Sequence, residues 1–189
     1  MYILAIDTGS HESAFVLYNT ETRCLADKNK LPNIECWKKF KSYFEQGKVQ
    51  KVLIEQTSSN GSPVGMEVFM NCEFTGFFAC LAKIYGISVE LMFRKTVKMH
   101  LCGAIRKITD ASVNLMLREK YGEDNTIKRP NKFYWNEEVE ENEGVKWMTG
   151  DIWAALAVLT VYVEDPNVVQ TELIKIDKEY IEFLKSKNN

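Results

Sequence analysis

Two short apolar runs in the amino-terminal third of the chain each end in a carboxylate. Residues 3–6 (ILAI) lead into Asp7, and residues 52–54 (VLI) lead into Glu55. Apolar runs of this length, bounded by turn residues, predict buried strands. A charged side chain placed directly after a buried run is costly unless its charge is compensated. The fold of this chain must therefore accommodate acids where strands leave the core.

The remaining periodic segments place these strands in an order. Alternating apolar residues predict further strands at 13–19, about 23–26 and 87–93. Helical spacing predicts helices at 34–46, 64–85, 111–121, 151–164 and about 177–185. A short helix is expected at the start of the basic stretch 94–107. Residues 122–149 lack periodicity and predict a long loop. Hairpins followed by strand–helix–strand crossovers predict an α/β fold, with a mixed sheet and helices on both faces.

Charge is unevenly distributed along the chain. The 189 residues include 24 basic and 26 acidic side chains, and a formal charge of −2 argues at first against a nucleic-acid-binding protein. Residues 92–132, however, hold ten basic and four acidic residues, which gives +6 there and leaves −8 for the rest. Such asymmetry is typical of a polyanion-binding surface. The plain alternative is a solvated charged face.

Length and cysteine usage limit the class of protein. We expect one domain over residues 1–165, with residues 166–189 as its C-terminal helical extension. The five cysteines form no C-x-x-C pair. No stretch approaches the roughly 18 apolar residues of a membrane span. No basic segment, as a signal peptide would have, precedes the first apolar run. These features predict reduced thiols, no membrane association and a cytoplasmic location (the host cytoplasm if the chain is encoded by a phage).

A third acid, Asp151, opens the apolar segment 152–159. Each acid has a bland interpretation, because a strand-end carboxylate can point to solvent and Asp often caps a helix. If the three converge, mutual repulsion leaves some of them protonated unless a cation is present. Mg²⁺ prefers such oxygen ligands, and two ions about 3.5–4 Å apart promote phosphodiester hydrolysis. Spacing alone leaves both interpretations open.

Several segments resemble, in the same order, the motifs of RuvC-family Holliday junction resolvases, which are nucleases of the ribonuclease H-like superfamily. Residues 4–10 (LAIDTGS) resemble the opening motif, and residues 52–56 (VLIEQ) resemble the second. Residues 151–158 (DIWAALAV) are similar to the last motif. Between them, residues 101–110 (LCGAIRKITD) are similar to a basic segment that leads into a helix, and residues 128–131 (KRPN) resemble a basic loop of phage-type members.

The resemblance implies a ribonuclease H-like mixed sheet of five strands and a Mg²⁺-dependent endonuclease, with Mn²⁺ as a substitute, that cuts Holliday junctions and other branched DNA. Asp7, Glu55 and Asp151 would be the catalytic metal ligands, and Lys107 would contact phosphate on the catalytic side. The DNA-binding candidates in the basic region are Arg94, Lys95, Lys98, Arg106, Lys107, Arg118, Lys128 and Arg129.

The family also implies a homodimer, since resolution needs two symmetric nicks across a junction. The helix predicted at 64–85 carries apolar residues on two faces. One face can cover the sheet, and the other is either further core or the dimer interface.

Ala154 departs from the family pattern. The bacterial family usually places a second metal-site residue one turn after the acid of the last motif, and alanine cannot bind metal. Either three carboxylates suffice, or a fourth comes from elsewhere, such as the run Glu137, Glu138, Glu140, Glu141, Glu143. Two alternative functions therefore stay open: a non-catalytic branched-DNA-binding protein on the same fold, and a ribonuclease H acting on RNA–DNA hybrids.

Overall fold

A mixed β-sheet forms the centre of the protein. The computed structural model describes residues 1–57, 63–103, 108–121, 134–135, 150–168 and 171–172. The sheet strands are β1 (Tyr2–Asp7), β2 (Glu12–Asn19), β3 (Cys24–Pro32), β4 (Val49–Gln56), β5 (Ser88–Phe93), β6 (Tyr134–Trp135) and β7 (Thr171–Glu172). The helices are α1 (Asn33–Glu45), α2 (Met66–Ile84), α3 (Arg94–Cys102), α4 (Asp110–Tyr121) and α5 (Gly150–Glu164).

The strand order is β6-β3-β2-β1-β4-β5-β7. Strands β1, β2 and β3 form two antiparallel hairpins, whereas β4 runs parallel to β1 and β5 runs parallel to β4. Helix α1 connects β3 to β4, and helix α2 is the crossover between the parallel neighbours β4 and β5. The predicted α/β architecture with five main strands is confirmed, and the two-residue strands β6 and β7 extend its edges.

The central strands feed two separate apolar cores because successive side chains point to opposite faces of the sheet. On β1, Ile3 and Ala5 pack towards α3, α4 and α5, on what we call the α5 face. Leu4 and Ile6 pack towards α1 and α2, on the α1 face. Strands covered on both sides are apolar at nearly every position, which explains the short unbroken runs in the sequence.

Helix α5 is buried on almost every side and packs across β1 and β2. Its one fully buried polar side chain, Thr160, donates to the Leu156 carbonyl oxygen at 2.8 Å and shares a 2.9 Å hydrogen bond with the Tyr121 hydroxyl. The apolar body of α5 is thereby fixed against the sheet. Its amino terminus, with Asp151, is held at the same edge as the ends of β1 and β4.

Some boundaries differ from the sequence prediction. Strand β3 continues to Pro32, beyond the predicted 23–26, because its polar half pairs with β2 along its whole length. Strand β6 lies within the predicted loop 122–149 and pairs with Cys24 and Leu25. The helix predicted near 177–185 lies outside the described residues.

All five cysteines are free thiols, as predicted. Among the described helices, none combines the length and the apolar character needed to cross a membrane.

Candidate active site

The register of the central strands brings Asp7 and Glu55 together. Ile6 pairs with Ile54 in the parallel β1–β4 ladder, so the next residues, Asp7 and Glu55, lie side by side near the carboxyl ends of the two strands. Ala5 and Leu53, two positions earlier, lie in the core of the α5 face. The period of two therefore directs Asp7 and Glu55 to that same face. Their carboxyl groups are hydrogen-bonded to each other.

Burial and mutual repulsion shape the protonation of this pair. Burial, the negative charge of Glu55 and the hydrogen bond with it raise the pKa of Asp7 from 3.8 to about 8, although the charge of Arg94 opposes the shift. Burial also raises the pKa of Glu55, against the lowering effects of Arg94 and of the hydrogen bond from Asp7. The two carboxyl groups therefore titrate as a coupled pair, and each holds a proton more readily than an exposed carboxyl group does.

A polar brace fixes the turn that follows Asp7. Buried Ser13 donates its hydroxyl to Asn33 Oδ1 at 2.6 Å, and Asn33 Nδ2 donates to the Gly9 carbonyl oxygen at 3.0 Å. The Gly9 N–H in turn donates to Ser13 Oγ at 3.3 Å. The turn is also tight, since a Cβ on Gly9 would lie 2.2 Å from the Glu12 carbonyl oxygen. Every member of the brace has a partner, so the backbone after Asp7 is held rigidly.

Arg94, at the start of α3, neutralises part of the acidic charge. Its Nη1 donates to Glu55 Oε2 at 2.7 Å, and its Nη2 lies 2.9 Å from Asp110 Oδ1. Lys98, one turn later on α3, lies 2.8 Å from the same Asp110 oxygen. Burial works against ionisation of Asp110, but the hydrogen bonds from Lys98 and Arg94 outweigh it and lower its pKa. Both cations predicted to bind DNA therefore point towards carboxylates of the site.

The third predicted acid, Asp151, lies near this group but is paired differently. Its negative charge contributes to the raised pKa of Asp7. Its Oδ2 lies 2.8 Å from Lys30 Nζ, and the same ammonium lies 3.3 Å from Glu12 Oε2. Lys30 comes from β3, so one cation links the start of β2 to the start of α5.

A cavity of about 120 Å³ opens between these elements. Its lining includes two of the predicted acids, Glu55 and Asp151, together with Asp110. Ala154, one turn after Asp151, also lines it and contributes only a methyl group. The cavity is large enough for a few water molecules or hydrated ions.

The donor chemistry of the site fits a divalent cation such as Mg²⁺. Asp7, Glu55 and Asp151 offer only carboxylate oxygens, which are hard ligands. The pKa values of Asp7 and Glu55 stay raised despite the ion pair of Glu55 with Arg94, so a cation would find negative charge that is only partly compensated. The three carboxylates are the right kind of ligand for such a cation, and they lie near one another. Among the described residues, no three His, Cys, Asp or Glu side chains already stand in metal-binding geometry.

The other predicted site residues divide into two groups. Lys95 is exposed on α3, and the Arg118 guanidinium lies over the Trp153 ring, 5.7 Å from its centroid. Four lie outside the described residues, as does the acidic run that was an alternative source of a fourth ligand: Arg106, Lys107, Lys128, Arg129, and the run Glu137, Glu138, Glu140, Glu141, Glu143.

Sequence reasoning missed two residues of the site. Asp110 ends the segment 101–110 that leads into the predicted helix, and in the structure it begins α4, lines the cavity and pairs with Arg94. Lys30 lies in a polar stretch without a motif, and only the β2–β3 register reveals that it reaches Asp151.

Two solved structures are similar to this chain in fold. One, T. thermophilus RuvC in complex with Holliday junction substrate, matches with a TM-score of 0.59 and 14% sequence identity, over 86% of this chain and 93% of that chain. The other, a Thermus thermophilus RuvC structure, gives a TM-score of 0.55 and 15% identity, over 87% and 96% of the two chains. The chain has the RuvC fold. No protein-family model and no curated protein matches its sequence.

Proposed function

We propose that this protein is a metal-dependent endonuclease that cuts Holliday junctions and other branched DNA. The observation that carries the proposal is the Asp7–Glu55 pair, a half-buried and a buried carboxylate side by side near the ends of adjacent parallel strands on a RuvC fold. Asp151 on the wall of the same cavity completes the acidic set. The resemblance of the sequence motifs to the phage-type branch of the family stays a prediction.

Asp7, Glu55 and Asp151 would hold the divalent cations. Such ions, when bound, activate water and stabilise the departing oxygen in phosphodiester hydrolysis. Asp7 and Glu55 would hold a cation in their ionised form, because metals bind ionised carboxylates. Arg94 orients Glu55 through its 2.7 Å hydrogen bond, and Asp110 holds the other arm of the guanidinium. A catalytic role for Lys107 stays a prediction.

A homodimer through α2 forms part of the proposal. Met66 is 73% exposed and Phe69 is 56% exposed, and Phe77 continues the same side of the helix. The Phe77 ring stacks on Trp37 at a centroid distance of 6.3 Å, which extends the apolar surface onto α1. An apolar surface of this kind favours a protein partner. A second copy suits the chemistry, since a symmetric dimer can place two sites on a four-way junction.

The test is cleavage of defined substrates in Mg²⁺ and in Mn²⁺. We expect symmetric nicks in a synthetic four-way junction, with little cutting of linear duplex of the same sequence or of an RNA–DNA hybrid. Equal cutting of junction and duplex would contradict the junction preference. Preferential cutting of the hybrid would instead select the ribonuclease H alternative.

Ala154 gives a specific reason to keep a second candidate, a non-catalytic branched-DNA-binding protein. Its methyl group lines the cavity where the family usually has a metal-site residue, and Asp151 beside it is ion-paired with Lys30. Tight, specific binding of the junction without nicking in either metal would select this candidate.

A further inference from the structure

A single row of paired residues crosses the sheet at the acidic edge. Lys30 on β3 pairs with Ala14 on β2, and Ala14 pairs with Asp7 on β1. Glu55 on β4 follows Asp7 in the same line. Because paired residues of neighbouring strands point to the same face, Lys30, Asp7 and Glu55 all project from the α5 face.

Small Ala14 is the residue between Lys30 and Asp7. Its side chain is fully buried and ends at one methyl group, so it does not separate the lysine from the acids. The Lys30 stem extends over this gap, and its ammonium reaches Asp151 at 2.8 Å and Glu12 at 3.3 Å.

The Lys30 ammonium retains bonding capacity. A lysine carries three N–H donors, and the contacts with Asp151 and Glu12 engage two of them. A third of the Lys30 side chain is exposed (33%), so a ligand can approach it from solvent. A phosphate oxygen is a matching acceptor for the remaining donor.

The positions of the basic side chains around the acids indicate where a phosphate bound by Lys30 would lie. Arg94 and Lys98 lie beyond Glu55, on the side of α3, whereas Lys30 lies beyond Asp7, on the side of β3. A DNA backbone that passes over a group of carboxylates is repelled by them and needs cations nearby. Here, cations lie at both ends of the acidic row.

We propose that Lys30 contacts a backbone phosphate of the DNA, at the end of a phosphate track that crosses the strand ends from β3 over β1 and β4 to α3. The inference rests on the proposed function and deepens it, because it states how the DNA lies across the site. It adds to the binding surface a lysine from outside the basic region 92–132.

A simpler account of Lys30 must be separated from this one. Lysines on a strand segment with an open side also discourage edge-to-edge association. Among the described residues, β6 covers only Cys24 and Leu25 of β3, and Lys28 lies two residues before Lys30 on the uncovered part. Lys28 pairs with Val16, whose side chain lies in the core of the α5 face, so both lysines belong to one face. They differ in distance from the acidic edge, which makes Lys28 a matched control.

The experiment measures the salt dependence of junction binding in EDTA by fluorescence anisotropy, so that no cleavage interferes. For wild type, the logarithm of the association constant falls linearly with the logarithm of KCl concentration, by roughly 0.9 for each phosphate neutralised. We expect Lys30→Met to reduce this slope by roughly one, and Lys30→Arg to keep the wild-type slope. Lys28→Met should also keep it.

Each other outcome overturns the inference. An unchanged slope in Lys30→Met, in a protein that keeps its circular dichroism spectrum and melting temperature, would remove Lys30 from the DNA surface while leaving the proposed function intact. An equal reduction in Lys28→Met would show a general effect of charge on β3. Failure of wild type to bind the junction would remove the proposed function together with the inference.

Discussion

The two faces of the central sheet are built from the same strands and end in different chemistry. On the α1 face, Ile6 and Ile54 continue the apolar core up to the strand ends. One residue later, on the α5 face, the same strands carry Asp7, the last residue of β1, and Glu55, the penultimate residue of β4. A shift of one residue in either strand would exchange the two faces. The site therefore depends on strand register, while the surplus apolar surface of α2 lies on the opposite side of the sheet.

The largest expected effect tests the α5 face. Asp7→Asn removes a carboxylate from the buried pair while keeping its shape, and we expect the rate of junction cleavage in Mg²⁺ to fall by about a thousandfold or more. Junction affinity in EDTA should change by no more than about threefold, because the loss is one of metal-dependent chemistry.

Asp165→Asn is the matched control for this substitution. Asp165 follows α5 and is not among the residues that line the cavity, and its carboxylate accepts a hydrogen bond from the Asn167 N–H in a local turn. If Asp7→Asn cleaved the junction at the wild-type rate, or if Asp165→Asn lost as much cleavage activity as Asp7→Asn, the site would not lie at the strand ends.

The α1 face is tested by its exposed helix. Placing charges at Met66 and Phe69 (Met66→Glu with Phe69→Glu) should weaken self-association by about a hundredfold, since buried charge without a partner is costly at an interface. Analytical ultracentrifugation measures the change. Single nicks should then accumulate at the expense of paired cuts.

Leu115→Glu provides the comparison on the other side of the sheet. Leu115 is an exposed apolar residue of α4, so the substitution adds similar charge to the α5 face. If Leu115→Glu dissociated the dimer, or if the α2 double variant left the dimer intact, α2 would not be the dimer interface.

These contrasts show which parts of the molecule a sequence can predict. Asp7 and Glu55 could be singled out because a short apolar run followed by an acid is a local signal, although only the resemblance to a family assigned them to a metal site. Lys30 has no such signal, since residues 27–32 are mostly polar and form a strand only through pairing with β2. Arg94 and Lys98 were identified as basic residues, but their orientation towards Glu55 and Asp110 depends on the angle at which α3 leaves β5.

A smaller effect concerns stability and its dependence on pH. The folded chain holds the Asp7 proton more tightly than the unfolded chain, since the pKa rises from 3.8 to about 8 on folding. The contribution of Asp7 to the free energy of unfolding is therefore greatest at acid pH, and it is lost as the pH rises from 3.8 to about 8. In EDTA, Asp7→Asn should stabilise the protein by about 1–3 kcal/mol at pH 8, and by less near pH 4.

Urea unfolding at the two pH values measures this difference. Asp165→Asn should change the free energy of unfolding equally at both, because its carboxylate forms only a local turn contact. Stabilisation by Asp7→Asn that is constant with pH, or larger at pH 4, would contradict the buried proton on Asp7.

The smallest expected effect comes from adding a second carboxylate to the first turns of α5, at position 154. Ala154 lies one turn after Asp151 and lines the cavity, so Ala154→Asp adds an oxygen donor on the same side of the helix. We expect Mn²⁺ affinity, measured by isothermal titration calorimetry, to rise by about threefold to tenfold. Ala111→Asp on exposed α4 is the control, and equal gains in both variants would indicate a non-specific charge effect.

The crowding at Gly9 gives a practical filter for database searches. A chain that carries any larger residue there must route its first turn differently, because the added Cβ would collide with the Glu12 carbonyl oxygen. Such a chain can retain the sheet and even the acid at the strand end, yet lose the brace that fixes it. Among very distant sequences, glycine two residues after the first acid therefore separates candidates worth assaying from mere fold relatives.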